Sequence, residues 1–240
     1  GATGSGKSTT LAAMIHHINT HFSRHIMTIE DPIEFVHVDD KSVINQREVG
    51  YDTASFQNAL RHVVRQSPDV ILIGEMRDQD TMMTAISAAE TGHLVLTTLH
   101  TVDVFHTLDR IINYFPDYLK SQVRQELAMC LEGIVCMRLL RRKDGTGRVP
   151  ALEILRSTPS IKKALLEGEF WKMREFIAKG RDQGMQTFNQ ALLDLYNQEV
   201  ITFEEALFAS SNPDEFRLNA KGMFTGTDSI TIYKTSGTAS

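Results

Sequence analysis

The sequence predicts an α/β fold, a mainly parallel β-sheet covered by helices and followed by a helical C-terminal subdomain. Three observations carry this prediction. The apolar runs Val70–Ile73 and 94–98 lack the polar alternation of a half-exposed strand, so each reads as a strand covered on both faces. Segments of helical periodicity separate the strands, and that alternation implies crossover connections and a parallel sheet. The first eight residues, Gly1-Ala2-Thr3-Gly4-Ser5-Gly6-Lys7-Ser8, make a glycine-rich turn that opens onto an apolar-striped helix.

In chain order, the first helix carries Leu11, Met14, Ile15 and Ile18 at helical spacing. Residues 26–29 read as a short buried strand ending at Glu30-Asp31-Pro32, and residues 43–49 as a short strand in polar surroundings. Asp52 or Thr53 is the expected cap of a helix with Phe56, Ala59, Leu60, Val63 and Val64 on its apolar face, and Pro68 closes that unit. The run at 70–73 ends in Gly74-Glu75-Met76-Arg77-Asp78, and a helix is expected over 79–91. Residues 94–98 are expected as a second central strand, ending at Leu99-His100-Thr101. Helices are then predicted to residue 114 and over 118–133, while 135–140 fits helix or strand equally. Asp144-Gly145-Thr146-Gly147 signals a turn, and 149–155 a returning strand. Thr158-Pro159 opens the C-terminal helices, with Pro in the first turn. Others are expected over 171–178 and 187–198, and Thr202-Phe203-Glu204-Glu205 has the form of a capping box. The expected division is a core over 1–156, a helical subdomain over 157–220, and a disordered Thr-, Ser- and Gly-rich tail over 221–240.

Composition bounds the function. With 42% hydrophobic residues, the 240-residue chain can bury a core. Its 25 Lys and Arg against 30 Asp and Glu give a net charge of −5, which argues against a broadly basic nucleic-acid binder. No apolar run reaches the roughly 18 residues of a membrane span. The opening residues also lack the basic start and apolar stretch of a signal peptide. Two cysteines cannot form a four-thiolate zinc site. Cys130 and Cys136, six apart in a stretch read as largely helical, are expected as reduced thiols. The expectation is a soluble, acidic, intracellular protein.

The opening octet matches G-x-x-x-x-G-K-[ST] at every fixed position. Glycines let successive N–H groups curl inward around phosphate oxygens, and the following helix adds its positive end. The candidate nucleotide-binding residues are Gly1, Thr3, Gly4, Ser5, Gly6, Lys7, Ser8 and Thr9. Lys7 is suited to reach the β- and γ-phosphates of ATP, and the Ser8 hydroxyl to ligate Mg²⁺. A buried strand normally feeds such a loop, so the chain is expected to be a piece of a longer one.

Glu75 follows an apolar strand directly, where NTPases keep the carboxylate that orients or activates water. Gly74 stands where the usual motif has Asp, so Mg²⁺ falls to Ser8, to Glu75, and to a second carboxylate acting through water. Glu30 and Asp31 are the candidates, and the residues alone do not rank base against Mg²⁺ support. His100, at the carboxyl end of its strand, is a candidate γ-phosphate sensor; His93, at the opposite end, is expected to act on another surface. Arg77 and Arg110 are candidates to neutralise transferring phosphate, or to form surface ion pairs.

Four segments in order, 1–8, 28–35, 74–78 and 91–101, resemble the Walker A, Asp-box, Walker B and His-box motifs of the secretion ATPase superfamily. Within it, Gly-Glu-Met-Arg-Asp and Lys143-Asp144-Gly145-Thr146-Gly147-Arg148 resemble the type IV pilus retraction ATPases PilT and PilU. Residues 184–192, Glu204-Glu205-Ala206-Leu207 and Phe216-Arg217-Leu218 look closer to the PilU branch. The resemblance covers residues 1–220. It implies a RecA-like P-loop ATPase core, using ATP and Mg²⁺, in a homo-hexameric ring that powers pilus retraction beside a paralogous retraction ATPase. The implied partner is an inner-membrane platform protein, and the implied location the cytoplasmic side of that membrane. It also implies a PAS-like domain and linker upstream, with nucleotide sites between domains and subunits and some arginines supplied from outside the core. The missing four-cysteine zinc insert favours the retraction branch over pilus-assembly or type II secretion relatives. A nucleotide-binding ring scaffold that supports a partner motor is the alternative from another class. A nucleic-acid translocase is disfavoured by the negative charge and by the lack of a basic-aromatic cluster.

Overall fold

Strands β1 (His25–Glu30), β2 (Val43–Glu48), β3 (Val70–Ile73) and β4 (Leu94–Thr97) form one parallel sheet in the order β2-β1-β3-β4. This is the arrangement in a computed structural model of the chain, which describes residues 1–223. The expected tail at 221–240 therefore lies almost wholly outside the described residues. Helices α1 (Lys7–His21), α2 (Phe56–Val63) and α3 (Gln79–Glu90) alternate with the strands, as the periodicity predicts.

Register decides what the sheet presents at its carboxyl edge. Ile29 stands opposite Ile73, and Ile73 opposite Thr97, so β1, β3 and β4 end at one level. Residues 26, 70 and 72 face α1, where Ile15, Ile26, Val70 and Leu72 form a core cluster with Leu11, Ile18, Ile44 and Leu96 against it. Strand alternation sends Met27, Ile29, Ile71 and Ile73 to the opposite face, and all four are fully buried.

Three expectations need correction. β4 is an edge strand of the described sheet, paired with β3 alone, and Leu94 is 42% exposed. Its unbroken apolar run suggested a central strand, yet pairing on both sides is not a property that a run of apolar residues encodes. The cap of α2 is Ser55, whose Oγ accepts the Asn58 N–H at 3.1 Å, rather than Asp52 or Thr53. The Asp52 carboxylate instead accepts the Glu48 N–H at 2.8 Å, holding a turn in front of the helix. Cys136 lies on a strand rather than in the largely helical stretch expected around the two cysteines; neither forms a disulfide, and burial pushes the Cys136 thiol up to about 11.

The described chain divides into two compact units. One holds Gly6–His100 and Ile111–Cys130, and so the parallel sheet and α5 (Asp117–Cys130), which packs on α3. The other holds Gly1–Ser5, Thr101–Arg110 and the chain from Leu131 onward. In it, β5 (Gly133–Arg141) and β6 (Arg148–Arg156) form an antiparallel hairpin, which settles the helix-or-strand ambiguity at 135–140. The hairpin turns where Asp144-Gly145-Thr146-Gly147 signalled. Asp144 accepts the Thr146 N–H at 2.9 Å and its hydroxyl at 2.7 Å, bonds that lower the carboxyl to about 2.

Helices α6 (Pro159–Glu167), α7 (Met173–Lys179), α8 (Phe188–Asn197), α9 (Phe203–Ala209) and α10 (Pro213–Ala220) follow. Thr158 caps its helix as expected, and Thr202 accepts the Glu205 N–H, although the full capping box forms instead at Thr187 with Gln190, a cap that was not anticipated. α10 was not anticipated, although Asn212-Pro213 carries its signal, a capping side chain followed by Pro in the first turn. Tyr196, Phe203 and Phe216 pack ring to ring between α8, α9 and α10.

Glu153 and Glu215 are buried carboxyl groups of the hairpin unit, and Glu153 is the one whose surroundings shift it most. Its Oε2 accepts the Val104 N–H at 2.8 Å, at the start of α4 (Val104–Asn113). Burial raises its carboxyl to about 7, opposed by that hydrogen bond. Because the folded value lies above the ordinary 4.5, the stability tied to this group is complete below pH 4.5 and is lost as pH rises through about 7. Glu153→Gln keeps a carbonyl acceptor for Val104 and removes the charge. Thermal melts are expected to show the wild type losing ground to this variant between pH 5 and pH 8, whereas a pH-independent gap would contradict the assignment.

Candidate active site

The glycine turn enters α1 through two left-handed residues, Gly4 at φ 73° and Gly6 at φ 99°. Only glycine takes these conformations at little cost. Gly6 caps α1 without a side-chain bond, so no side chain occupies the helix's opening N–H groups. The Thr10 hydroxyl and N–H both return to the Gly6 carbonyl at 2.9 Å, closing the first turn. A Cβ on Gly1 would lie 2.4 Å from Ser5 Oγ and 3.2 Å from its Cβ, so a larger residue there would push the Ser5 side chain from its place. That Ser5 Oγ is buried without a hydrogen-bond partner among the described residues, the condition of a group built to meet a ligand oxygen. Gly1, Thr3, Gly4 and Ser5 fall in the hairpin unit; Gly6, Lys7, Ser8 and Thr9 fall in the sheet unit.

Within the sheet unit, the carboxyl edge gathers the predicted polar groups. Burial lowers the Lys7 ammonium from its ordinary value, while the fields of Glu75 and Glu34 raise it. Glu75 leaves β3 with its side chain only 16% exposed. One of its oxygens pairs with the Arg77 guanidinium, and the other lies 3.7 Å from His100 Nε2. Lys7, Glu75, Arg77 and His100 thus form one cluster from three separate elements.

Glu30 is held differently. Its Oε1 accepts the Thr28 hydroxyl at 2.6 Å and the Gln46 amide at 3.2 Å. Thr28 stands two residues back on the same strand face and opposite Gln46 in the β1–β2 register. Neutral donors therefore fix this carboxylate, whereas Glu75 lies in the field of Lys7 and pairs with Arg77. Thr28 and Gln46 were missed as site residues. The signal for Thr28 was present, a hydroxyl in the strand Ile26-Met27-Thr28-Ile29 that burial obliges to find an acceptor.

Each residue of Gly74-Glu75-Met76-Arg77-Asp78 takes a separate position. The Gly74 N–H continues the ladder to Ile29 O at 2.8 Å, and its carbonyl accepts the Thr98 hydroxyl at 2.7 Å. Met76 turns into the core, and the Asp78 carboxylate caps α3 by accepting the Thr81 N–H at 2.8 Å and hydroxyl at 2.9 Å. Asp31 follows β1 through a cis bond to Pro32 and lines a cleft of about 540 Å³ with Arg77, Asp78, Asp80 and the start of α2. His93, at the far end of β4, places Nδ1 2.8 Å from Ala88 O and so ties the end of α3 to the strand. Arg110 sits on the exposed last turn of α4, among the residues of the hairpin unit.

Known proteins are similar to this chain in sequence and in fold. The family described as Type II/IV secretion system protein matches residues 1–212. The type IV pilus ATPase PilU of Pseudomonas aeruginosa is 45% identical over 221 residues, covering 92% of this chain and 58% of that protein. The twitching motility protein of Neisseria gonorrhoeae is 48% identical over 214 residues, covering 89% of this chain and 57% of its own. Among solved structures, the pilus retraction motor PilT with bound ADP aligns at a TM-score of 0.84 and 49% identity, over 90% of this chain and 61% of that one. The Legionella pneumophila ATPase DotB aligns at 0.78 and 30% identity, over 87% of this chain and 57% of its own. The chain therefore spans about three fifths of the length of these relatives. Its α/β architecture with a parallel sheet is the RecA-like ATPase fold. By sequence match, by fold, and by the motifs gathered at one sheet edge, the chain belongs to the type II/IV secretion system protein family, in its type IV pilus retraction ATPase branch.

Proposed function

We propose that this chain is the ATP-hydrolysing core of a type IV pilus retraction motor. The observation that carries the reading is the meeting of Lys7, Glu75 and His100 at the carboxyl edge of a parallel sheet, where α/β folds act on ligands. The left-handed glycines and the orphaned Ser5 hydroxyl suit a polyphosphate, and a partly desolvated Lys7 binds it more strongly than a solvated lysine would. Residues 1, 3–6 and 9 contribute backbone and hydroxyl donors to the phosphates, with Lys7 as the cation on the β- and γ-groups.

The Ser8 hydroxyl, with Glu75 and Asp31 acting partly through water, fits Mg²⁺, which keeps most of its waters and takes few protein ligands. When bound, the ion neutralises charge on the phosphates. Glu75 accepts the proton of the attacking water, as an ionisable group at the end of the central β3 strand. Glu30, its orientation set by Thr28 and Gln46, holds a second carboxylate at the same edge and positions that water. His100 bridges to Glu75 and reports the γ-phosphate through it; His93 serves the frame at the other end of β4. Arg110 is the candidate to act on phosphate at a neighbouring site.

The relatives support the biological assignment, being a pilus retraction motor, a pilus ATPase and a twitching motility protein. On this reading the chain works in a homo-hexameric ring beside a paralogous retraction ATPase, against an inner-membrane platform protein. It does so from the cytoplasmic side, without zinc or nucleic acid. No helix among the described residues is long and apolar enough to cross a membrane.

Three measurements test the proposal. In the full-length protein, Glu75→Gln is expected to lower kcat by about 10²- to 10⁴-fold while ATP affinity stays within a few-fold. Undiminished pilus retraction in cells carrying this variant would make the chain a scaffold for another motor. Lys7→Ala is expected to abolish binding of a labelled ATP analogue, and unchanged affinity would refute the phosphate site. Thr28→Val, isosteric but unable to donate, is expected to lower kcat by about tenfold without changing ATP affinity, the worth of a hydrogen bond to a charged group.

A further inference from the structure

We infer that Arg77 is a positioning residue that holds the Glu75 carboxylate out of use until nucleotide engages the site, and then withdraws toward Asp31. The inference rests on the reading of Glu75 as the base.

The geometry starts with Glu75. Arg77 occupies one carboxylate oxygen, and His100 stands 3.7 Å from the other. A carboxylate that must take a proton from water needs a lone pair directed at that water, and here Arg77 takes one oxygen while the His100 ring stands before the other. Arg77 cannot serve a phosphate while its guanidinium is paired with the base. Its backbone is fixed on either side, by Met76 in the core and by Asp78 capping α3. The side chain is not fixed in this way. It is 66% exposed and lies in the wall of the cleft that also contains Asp31, Asp78 and Asp80.

Two of those acids are committed: Asp78 to Thr81, and Asp80 to the Gln57 amide at 2.8 Å. Asp31 is the third carboxylate of the cleft, and its field already acts on the guanidinium together with that of Glu75; a role toward Mg²⁺ through water leaves it an oxygen for Arg77. Rotation about the Arg77 side chain alone thus exchanges one carboxylate partner for another, in a cleft of about 540 Å³ that gives it room. An exposed pair of this kind is weak enough to be exchanged when a site fills.

The test compares wild type, Arg77→Gln and Arg77→Lys in the full-length protein. It measures single-turnover ATP hydrolysis and the affinity for a non-hydrolysable ATP analogue. Removing the guanidinium is expected to raise turnover by about two- to fivefold, and Arg77→Lys, with one contact point in place of a fork, by a smaller factor. Affinity for the analogue is expected to stay unchanged in both. Thermal melts confirm folding, which the exposure of the side chain favours, and should Arg77→Gln fail to fold, the lysine variant alone decides. Unchanged turnover would overturn the inference. A fall in turnover in either variant would also overturn it and assign Arg77 to the phosphate. Wild-type turnover in Glu75→Gln, assayed alongside, would instead remove the base reading itself.

Discussion

The parallel ladder joining β1, β3 and β4 is the constraint on which the site depends. Since Ile29, Ile73 and Thr97 stand at one level, the residues that follow them emerge side by side at one edge. Glu30, Glu75 and the 98–100 segment come from points far apart in the chain and meet because the sheet is in this register. A slip of one residue in β3 would send Glu75 to the other face and dissolve the cluster. The Gly74 N–H to Ile29 O and the Thr98 hydroxyl to Gly74 O extend the ladder one step past the strands, to the residue just before the carboxylate. The core beneath, from Ile15 to Leu72, holds that register through burial rather than through the polar groups it displays.

Above this frame the two acids are treated in opposite ways. Glu30 is bound by a hydroxyl and an amide, which fix its direction without adding charge. Glu75 instead sits among Lys7, Arg77 and His100, side chains that the fold does not lock to it by neutral hydrogen bonds. The two carboxylates thus differ in the partners that hold them, and on the proposed reading that difference makes Glu75 the base and Glu30 the residue that positions its water.

Much of this was legible in the sequence, for identifiable reasons. The glycine-lysine-serine turn needs left-handed backbone at Gly4 and Gly6, a demand that residue type states directly. Val70–Ile73 declared its burial by lacking polar alternation, and Glu75 its position by following at once. Caps at Thr158 and Thr202 were readable because their partners lie within four residues. What depended on distant partners was not readable. Gln46 meets Glu30 only through strand pairing, and Arg77 meets Glu75 only through side-chain direction. The edge position of β4 was missed for the same reason, and the choice between helix and strand at 135–140 stayed open for it, since local composition does not say which neighbour a segment will pair with.

The most direct test of the account is a structure of the full-length protein bound to Mg²⁺ and a non-hydrolysable ATP analogue. The account predicts the γ-phosphate within reach of Lys7, with Glu75 and His100 turned toward it and Glu30 still bonded to Thr28. A nucleotide seated elsewhere, or these carboxylates turned away from it, would contradict the account.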